Sequence, residues 1–77
     1  MRGIPMANQI NPNKLYLSKW TSTSPQQKEK HFLVTKLLRN EQEQVESVVI
    51  EALMTKKEYT IPWQHLKVSD HWLPGWK

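Results

Sequence analysis

The chain has 77 residues and no cysteine, so it is long enough for one small domain and cannot be stabilised by disulfides or thiolate zinc sites. The formal net charge of +4, from 11 Lys and Arg against 7 Asp and Glu, favours anionic partners without requiring them. No apolar run reaches the length of a membrane span, and the first nine residues lack the apolar centre of a signal peptide. We therefore expect a cytoplasmic protein with no membrane association.

The first 13 residues contain two prolines, one glycine and three asparagines, with no sustained periodicity. This composition predicts a flexible N-terminal tail over residues 1–13, followed by a single tryptophan-rich domain over residues 14–77. Met6 followed by Ala7 is also a possible natural start of translation.

Two strands are predicted next. Residues 15–21 alternate in polarity and indicate a first strand, and residues 22–29 form a polar stretch containing Ser24-Pro25, which predicts a loop. Residues 30–38 are the longest run of β-branched, aromatic and aliphatic residues, with no breaker inside it. Apolar residues occur on both faces of this run, with Phe32 and Val34 opposite to Leu37, which indicates a central strand.

Residues 41–54 fit two structures. As a helix, Asn40 would be the N-cap and Glu43 would complete a capping-box-like pair. The apolar residues at helical spacing are Val45, Val48, Val49, Ala52 and Leu53. As a strand, the residues that share one face are Val48, Ile50, Ala52 and Met54. The β-branched content and the absence of a terminating glycine weigh against the helix, but the pattern alone leaves the choice nearly even.

The C-terminal third predicts a short strand, a helical turn and a chain reversal. Tyr59, Ile61 and Trp63 alternate with polar residues or proline, and Pro62 restricts this strand to an edge or an end. Residues 63–67 are compatible with one helical turn, because proline favours the start of a helix. Pro74-Gly75 is a turn signal that lets the two terminal tryptophans fold towards each other.

The order of several motifs resembles a known family. The motifs are Asn13-Lys14-Leu15, Ser18-Lys19-Trp20-Thr21, Lys30-His31-Phe32-Leu33-Val34-Thr35-Lys36, Glu51-Ala52-Leu53-Met54-Thr55-Lys56-Lys57, Ile61-Pro62-Trp63-Gln64-His65-Leu66-Lys67, Trp72 and Gly75-Trp76. Together they resemble the small tryptophan-rich bacterial proteins that form a domain family of unknown function. The resemblance implies a compact domain with no assigned activity, and it favours the strand for residues 41–54. The family pattern suggests a glycine in the following turn, where this chain has Lys56-Lys57.

The predicted fold is therefore mostly β: an antiparallel meander of three to five strands, barrel-like or strongly twisted, with a short helical turn near the C-terminus. The alternative is an α+β fold in which residues 41–54 form a helix across the sheet. The predicted structural core consists of Trp20, Phe32, Val34, Ile50, Ala52, Ile61, Trp63 and Leu66.

Two functions are compatible with the predicted fold and with the tryptophans and lysines of the sequence. In the first, the domain is a non-enzymatic protein-interaction module that uses Trp72, Trp76 and an exposed strand edge to bind an unknown partner or a second copy of itself. In the second, it binds RNA or single-stranded nucleic acid, because exposed tryptophans stack on bases while lysines contact phosphates. The lysines proposed for a binding surface are Lys19, Lys28, Lys30, Lys56 and Lys57.

No catalytic residue, metal ligand or cofactor is predicted. The three histidines match no zinc-ligand spacing, and Ser69-Asp70-His71 are consecutive, so their side chains diverge instead of forming a relay. Gly3 and Gly75 are the only glycines, which excludes a glycine-rich phosphate loop.

Overall fold

Five strands and two single-turn helices make up the domain. The computed structural model describes residues 8–26 and 28–77. The strands are β1 (Lys19–Gln26), β2 (Glu29–Arg39), β3 (Val45–Ala52), β4 (Glu58–Pro62) and β5 (Trp72–Pro74), and the 3-10 helices span Pro12–Lys14 and Trp63–Lys67. Across these described ranges, no helix is long and apolar enough to span a membrane.

The strands form one antiparallel sheet in the order β4-β3-β2-β1-β5. The predicted mostly-β meander, with its short helical turn near the C-terminus, is confirmed, and β2 is the central strand. The sheet is open and does not close into a barrel, so the barrel-like variant of the prediction does not apply. The α+β alternative is wrong, because β3 occupies most of the segment in question and pairs with strands on both sides.

The first hairpin differs from its prediction. Residues 15–18 follow the first 3-10 helix as a turn, with Leu17 in the left-handed region at φ +64°, and β1 begins only at Lys19. The predicted loop over residues 22–29 is wrong, because β1 continues to Gln26. After Thr21 the strand leaves the regular register of β2 and its Ser22 pairs with Trp72 of β5, so this polar stretch remains extended through a second set of partners.

Two β-bulges interrupt the pairing of β2 with β3. Val34 pairs with Ile50 and Lys36 with Val49, so one extra residue, Thr35, lies in β2. Nearer the β2–β3 turn, Leu38 pairs with Ser47 and Arg39 with Val45, so one extra residue, Glu46, lies in β3. The first bulge reverses the alternation of β2, and Leu37 consequently packs against the core on the same side as Val34, not on the opposite face as the alternation predicts.

One face of the sheet carries the core. Of the eight residues predicted for it, six are buried: Trp20, Phe32, Val34, Ile50, Ala52 and Leu66. Ile61 and Trp63 are half-buried and pack against this cluster. The structure adds Leu15, Val45 and Val48 to the buried set. Leu66 is fully buried, so the second 3-10 helix covers the core next to β3.

Residues 8–13, from the predicted N-terminal tail, contact the domain. The Asn8 amide nitrogen Nδ2 donates to the carbonyl oxygens of Leu66 at 2.8 Å and Trp72 at 2.9 Å, and Ile10 packs against the core. These contacts connect the second 3-10 helix with β5. The predictions for residues 1–7, including a start at Met6, lie outside the described residues.

The two turns that flank β3 use left-handed residues other than glycine. In the β2–β3 turn, Asn40 Oδ1 accepts from the backbone N–H groups of Gln42 and Gln44, and Glu43 adopts φ +64°. In the β3–β4 turn, Lys56 adopts φ +66°, the conformation for which the family pattern suggests glycine. The turn therefore forms with the geometry of a glycine turn at the cost of backbone strain.

Candidate functional site: an aromatic groove beside an open strand edge

A groove of about 280 Å³ lies on the core face of the open sheet. Residues of β4 form one wall of the groove, and residues of β1 and β5 form the opposite wall. The lining residues are Ser22, Ser24, Glu29, Phe32, Ile50, Tyr59, Ile61 and Trp72. Because the sheet does not close, the two walls do not meet, and the space between them forms the groove.

The groove exists because β1 separates from β2. Regular pairing between these strands runs from Lys19 to Thr21 and resumes only at Gln26 and Glu29. In the interval, β1 pairs with β5 instead. Thr23 donates two hydrogen bonds to the segment before β5, from its N–H to the His71 carbonyl at 3.0 Å and from its hydroxyl to the Asp70 carbonyl at 2.6 Å. This change of partner moves the wall away from β2.

Three aromatic rings give the groove its apolar surface. The Phe32 ring lies between the other two, 5.2 Å from Trp72 and 6.3 Å from Tyr59 between ring centroids, in edge-to-face arrangements. Such packing fixes ring orientations and adds to the stabilisation from burial. Trp72, predicted as a partner-binding residue, is half-buried against its own core and still lines the groove.

Glu29 is the charged residue of the groove, and only 7% of it is exposed. Its Oε1 accepts from the Tyr59 hydroxyl at 2.6 Å, and its Oε2 accepts from the Thr55 hydroxyl in the β3–β4 turn. These bonds, Thr55 first, together with the charge of Lys57, lower the pKa of Glu29 below its ordinary value against the opposing effect of burial. The bond to Glu29 raises the pKa of Tyr59. The groove therefore contains an ionised carboxylate at neutral pH.

Four of the five lysines predicted for a binding surface lie at one end of the sheet, and Lys19 lies apart from them. Because the sheet is a meander, the β1–β2 and β3–β4 hairpins lie at the same end, which brings Lys28 and Lys30 near the turn that carries Lys56 and Lys57. Lys28 and Lys30 line a second depression of about 510 Å³ with Pro25, His31, Leu53 and Met54. The ammonium group of Lys56 lies 4.0 Å from Glu51, and Lys57 acts on Glu29.

Trp76 and Lys19 form a separate cluster on the face that carries His31. Trp76 is 43% exposed, and its indole N–H donates to the Phe32 carbonyl at 2.9 Å. The Lys19 ammonium lies 4.9 Å from its ring centroid, and His31 lies 6.4 Å away. Trp72 and Trp76 thus have different ring neighbours, and the structure does not bring them into one surface with the lysines.

The histidines do not converge with acids in the part of the chain that the structure describes, where no group of three metal-ligating side chains occurs. His65 and His71 line a shallow depression beside Trp72.

Sequence reasoning missed Glu29, Tyr59 and Thr55 as neighbours. The sequence pattern places Glu29 in a predicted polar loop and Tyr59 in a predicted alternating strand. Their meeting depends on how the two hairpins lie together, so no local sequence signal marks it.

Fold and groove together define a small open-sheet β domain with an aromatic groove on its core face. The chain belongs to the Tryptophan-rich protein (DUF2389) family, whose model matches residues 18–77. This confirms the tryptophan-rich family of unknown function that the motifs indicated. Comparison with curated proteins gave no match, and comparison with solved structures gave none either.

Proposed function

We propose that this domain is a non-enzymatic protein-interaction module that binds an extended segment of a partner protein along β4, with one partner side chain in the aromatic groove. The observation that carries the proposal is that the edge strand and the groove share residues. Tyr59 and Ile61 belong to β4 and also form one wall of the groove.

Strand β4 supports this mode of binding. It pairs with β3 on one side, and the described ranges supply no strand for its other side. Four of its five residues are exposed and Ile61 is half-buried. An added strand of about five residues would span roughly 17 Å, with backbone hydrogen bonds supplying affinity and alternate side chains supplying specificity.

The direct test is selection of binding peptides from a random display library, followed by NMR mapping on the labelled domain. We expect enriched peptides to shift backbone amides of residues 58–61 and the Trp72 indole signal. Trp72→Ala and Ile61→Ala should each weaken binding tenfold or more, whereas Trp76→Ala, on the other cluster, should leave it unchanged. Circular dichroism checks that each variant is folded.

Two results would contradict the proposal. One is the absence of any enriched peptide, and the other is enrichment of peptides whose shifts map to Trp76 and Lys19. Sedimentation of the free protein tests whether the partner is a second copy of the chain, since pairing of two β4 edges would give a concentration-dependent dimer that Ile61→Ala disrupts.

Nucleic-acid binding is the second candidate, and the Lys19–Trp76 pair favours it. An exposed indole with an ammonium group 4.9 Å from its centroid has the composition of a base-stacking and phosphate-binding pair. A labelled nucleic-acid single strand should then bind with an affinity that falls steeply as the salt concentration rises. Trp76→Ala should abolish this binding. Failure to bind at low salt would eliminate this candidate.

A further inference from the structure

We infer that the groove selects a lysine side chain of the bound segment, whose ammonium group pairs with the Glu29 carboxylate. This inference rests on the proposed function and adds to it the chemistry of the side chain that is recognised. It specifies which side chain occupies the groove, whereas the proposed function leaves that side chain unspecified.

The first argument is the hydrogen-bonding capacity of Glu29 that its partners among the described residues leave unused. A carboxylate offers about four acceptor positions. The Tyr59 and Thr55 hydroxyls occupy one on each oxygen, and the residue lines the groove while being more than nine-tenths buried. An ammonium group entering from the groove supplies donors for the remaining positions.

The second argument is the negative charge that the groove holds. The Thr55 and Tyr59 hydroxyls favour the ionised carboxylate by more than burial disfavours it, and Lys57 adds attraction from an exposed position at the hairpin. A cation that enters the groove gains a charge-assisted hydrogen bond to this carboxylate, which a neutral group does not, and an anion is repelled. The groove is therefore more complementary to a cation than to a neutral or anionic group.

The third argument is the aromatic lining. Phe32, Tyr59 and Trp72 present ring surfaces to the same space as the carboxylate. Ring faces attract ammonium groups, and Ile50 and Ile61 suit the methylene stem of a lysine. A volume of about 280 Å³ is below that of a typical small-molecule pocket and fits a single side chain.

Lysine suits the groove better than arginine. A guanidinium group favours bidentate pairing, which requires the position that remains on each Glu29 oxygen to face the groove at the same time. A compact ammonium needs only one free direction on one oxygen.

The test uses n-butylammonium as a mimic of the lysine side chain and 1-butanol as its neutral counterpart, titrated into the labelled domain. We expect n-butylammonium to shift the Glu29 carboxylate and Trp72 indole signals, and 1-butanol to bind at least tenfold more weakly. Glu29→Gln should weaken n-butylammonium binding by a similar factor. Glu41→Gln removes the same charge from an exposed position in the β2–β3 turn, at the other end of the sheet, and should leave it unchanged.

A second arm uses a peptide selected on the domain. Replacing its groove-binding lysine by norleucine should weaken binding roughly tenfold, and replacement by arginine should weaken it less. Should Glu29→Gln fail to fold, Trp72→Leu takes its place, because loss of the ring should weaken n-butylammonium binding severalfold.

The outcomes separate the two ideas. Equal binding of n-butylammonium and 1-butanol, or of the lysine and norleucine peptides, overturns the lysine inference and leaves strand addition at β4 intact. Binding of n-butylammonium in the groove without any peptide shifting residues 58–61 overturns the proposed function and supports recognition of the cation. A nucleic-acid strand that displaces n-butylammonium from the groove would contradict both.

Discussion

The two edges of the sheet are protected very differently. At the β5 edge, the Thr21 hydroxyl donates to the Gly75 carbonyl at 2.6 Å and accepts from the Lys77 N–H at 2.9 Å, while Asn8 donates to the Trp72 carbonyl. At the other edge, β4 is longer and mostly exposed. Segments before β1 and after β5 thus hold the shorter edge strand and its neighbour β1 in place. An exposed edge is a template for pairing with another chain, so the contrast supports the proposal that a partner binds along β4.

The largest expected effect comes from removing a tryptophan beside the covered edge. Trp20 pairs with Phe32 and Pro74 and is 4% exposed, so Trp20→Ala should lower the free energy of unfolding by about 3–5 kcal/mol. Trp63, which directly follows β4, is half-buried, and Trp63→Ala should cost roughly 1–2 kcal/mol. Urea unfolding followed by circular dichroism measures both. Equal losses would show that the two edges depend equally on their tryptophans.

A smaller effect should follow from releasing the C-terminal segment. Thr21→Val keeps the shape of a buried side chain but leaves the Gly75 carbonyl and the Lys77 N–H without this partner, which should cost about 1–3 kcal/mol. Amide exchange of residues 72–77 should accelerate more than that of β2 or β3. The control, Thr60→Val on exposed β4, should change stability by less than about 0.5 kcal/mol. Unchanged exchange in the Thr21 variant would refute the role of these bonds.

The β3–β4 turn offers a stabilising change at the open edge. Lys56 is held at φ +66°, where a residue with a Cβ is strained, so Lys56→Gly should raise stability by about 0.5–1 kcal/mol after the entropic cost of glycine is included. Lys56→Ala is the matched control, since it also removes the contact with Glu51 but retains the strain. A stability gain in the alanine variant would assign the effect to charge instead of backbone conformation.

The last prediction concerns the pH dependence of the hydrogen bonds from Tyr59 and Thr55 to Glu29, which connect the two hairpins. The pKa of Glu29 is lowered in the folded state, so its contribution to stability is present above its ordinary pKa of about 4.3 and is lost as pH falls through the folded value. The pKa of Tyr59 is raised, so its contribution is present below about 10 and is lost as pH rises through the folded value. Thermal unfolding across pH should therefore show a flatter acid limb for Glu29→Gln. An unchanged acid limb in the Glu29 variant would show that these hydrogen bonds do not couple folding to pH.

The sheet was predictable because its strands carry local signals, and the helix alternative shows where those signals mislead. The bulge at Glu46 places Val45 and Val48, three residues apart, on one buried face. That spacing is typical of a helix. The β2–β3 turn has the same ambiguity between strand and helix. Its Asn40 accepts hydrogen bonds from the backbone N–H groups that follow it, as an asparagine does at a helix N-cap.

The groove was not predictable, because it depends on contacts between distant segments. Glu29 and Tyr59 meet only when the two hairpins lie side by side, and their local sequences carry no mark of this. The predicted lysines and tryptophans were identified by residue type, but type does not determine the face on which each lies. Trp72 lines the groove, whereas Trp76 contacts Lys19 and His31.

The two bulges also let each strand bury residues that a strict period of two would place on opposite faces. In β2 the extra residue Thr35 brings Val34 and Leu37 to the core side, and in β3 the extra residue Glu46 does the same for Val45 and Val48. Because one extra residue lies in each strand, the two offsets cancel along the ladder. Between the bulges the strands are out of phase by one residue, and beyond them the original phase returns, as it does after two compensating frameshifts.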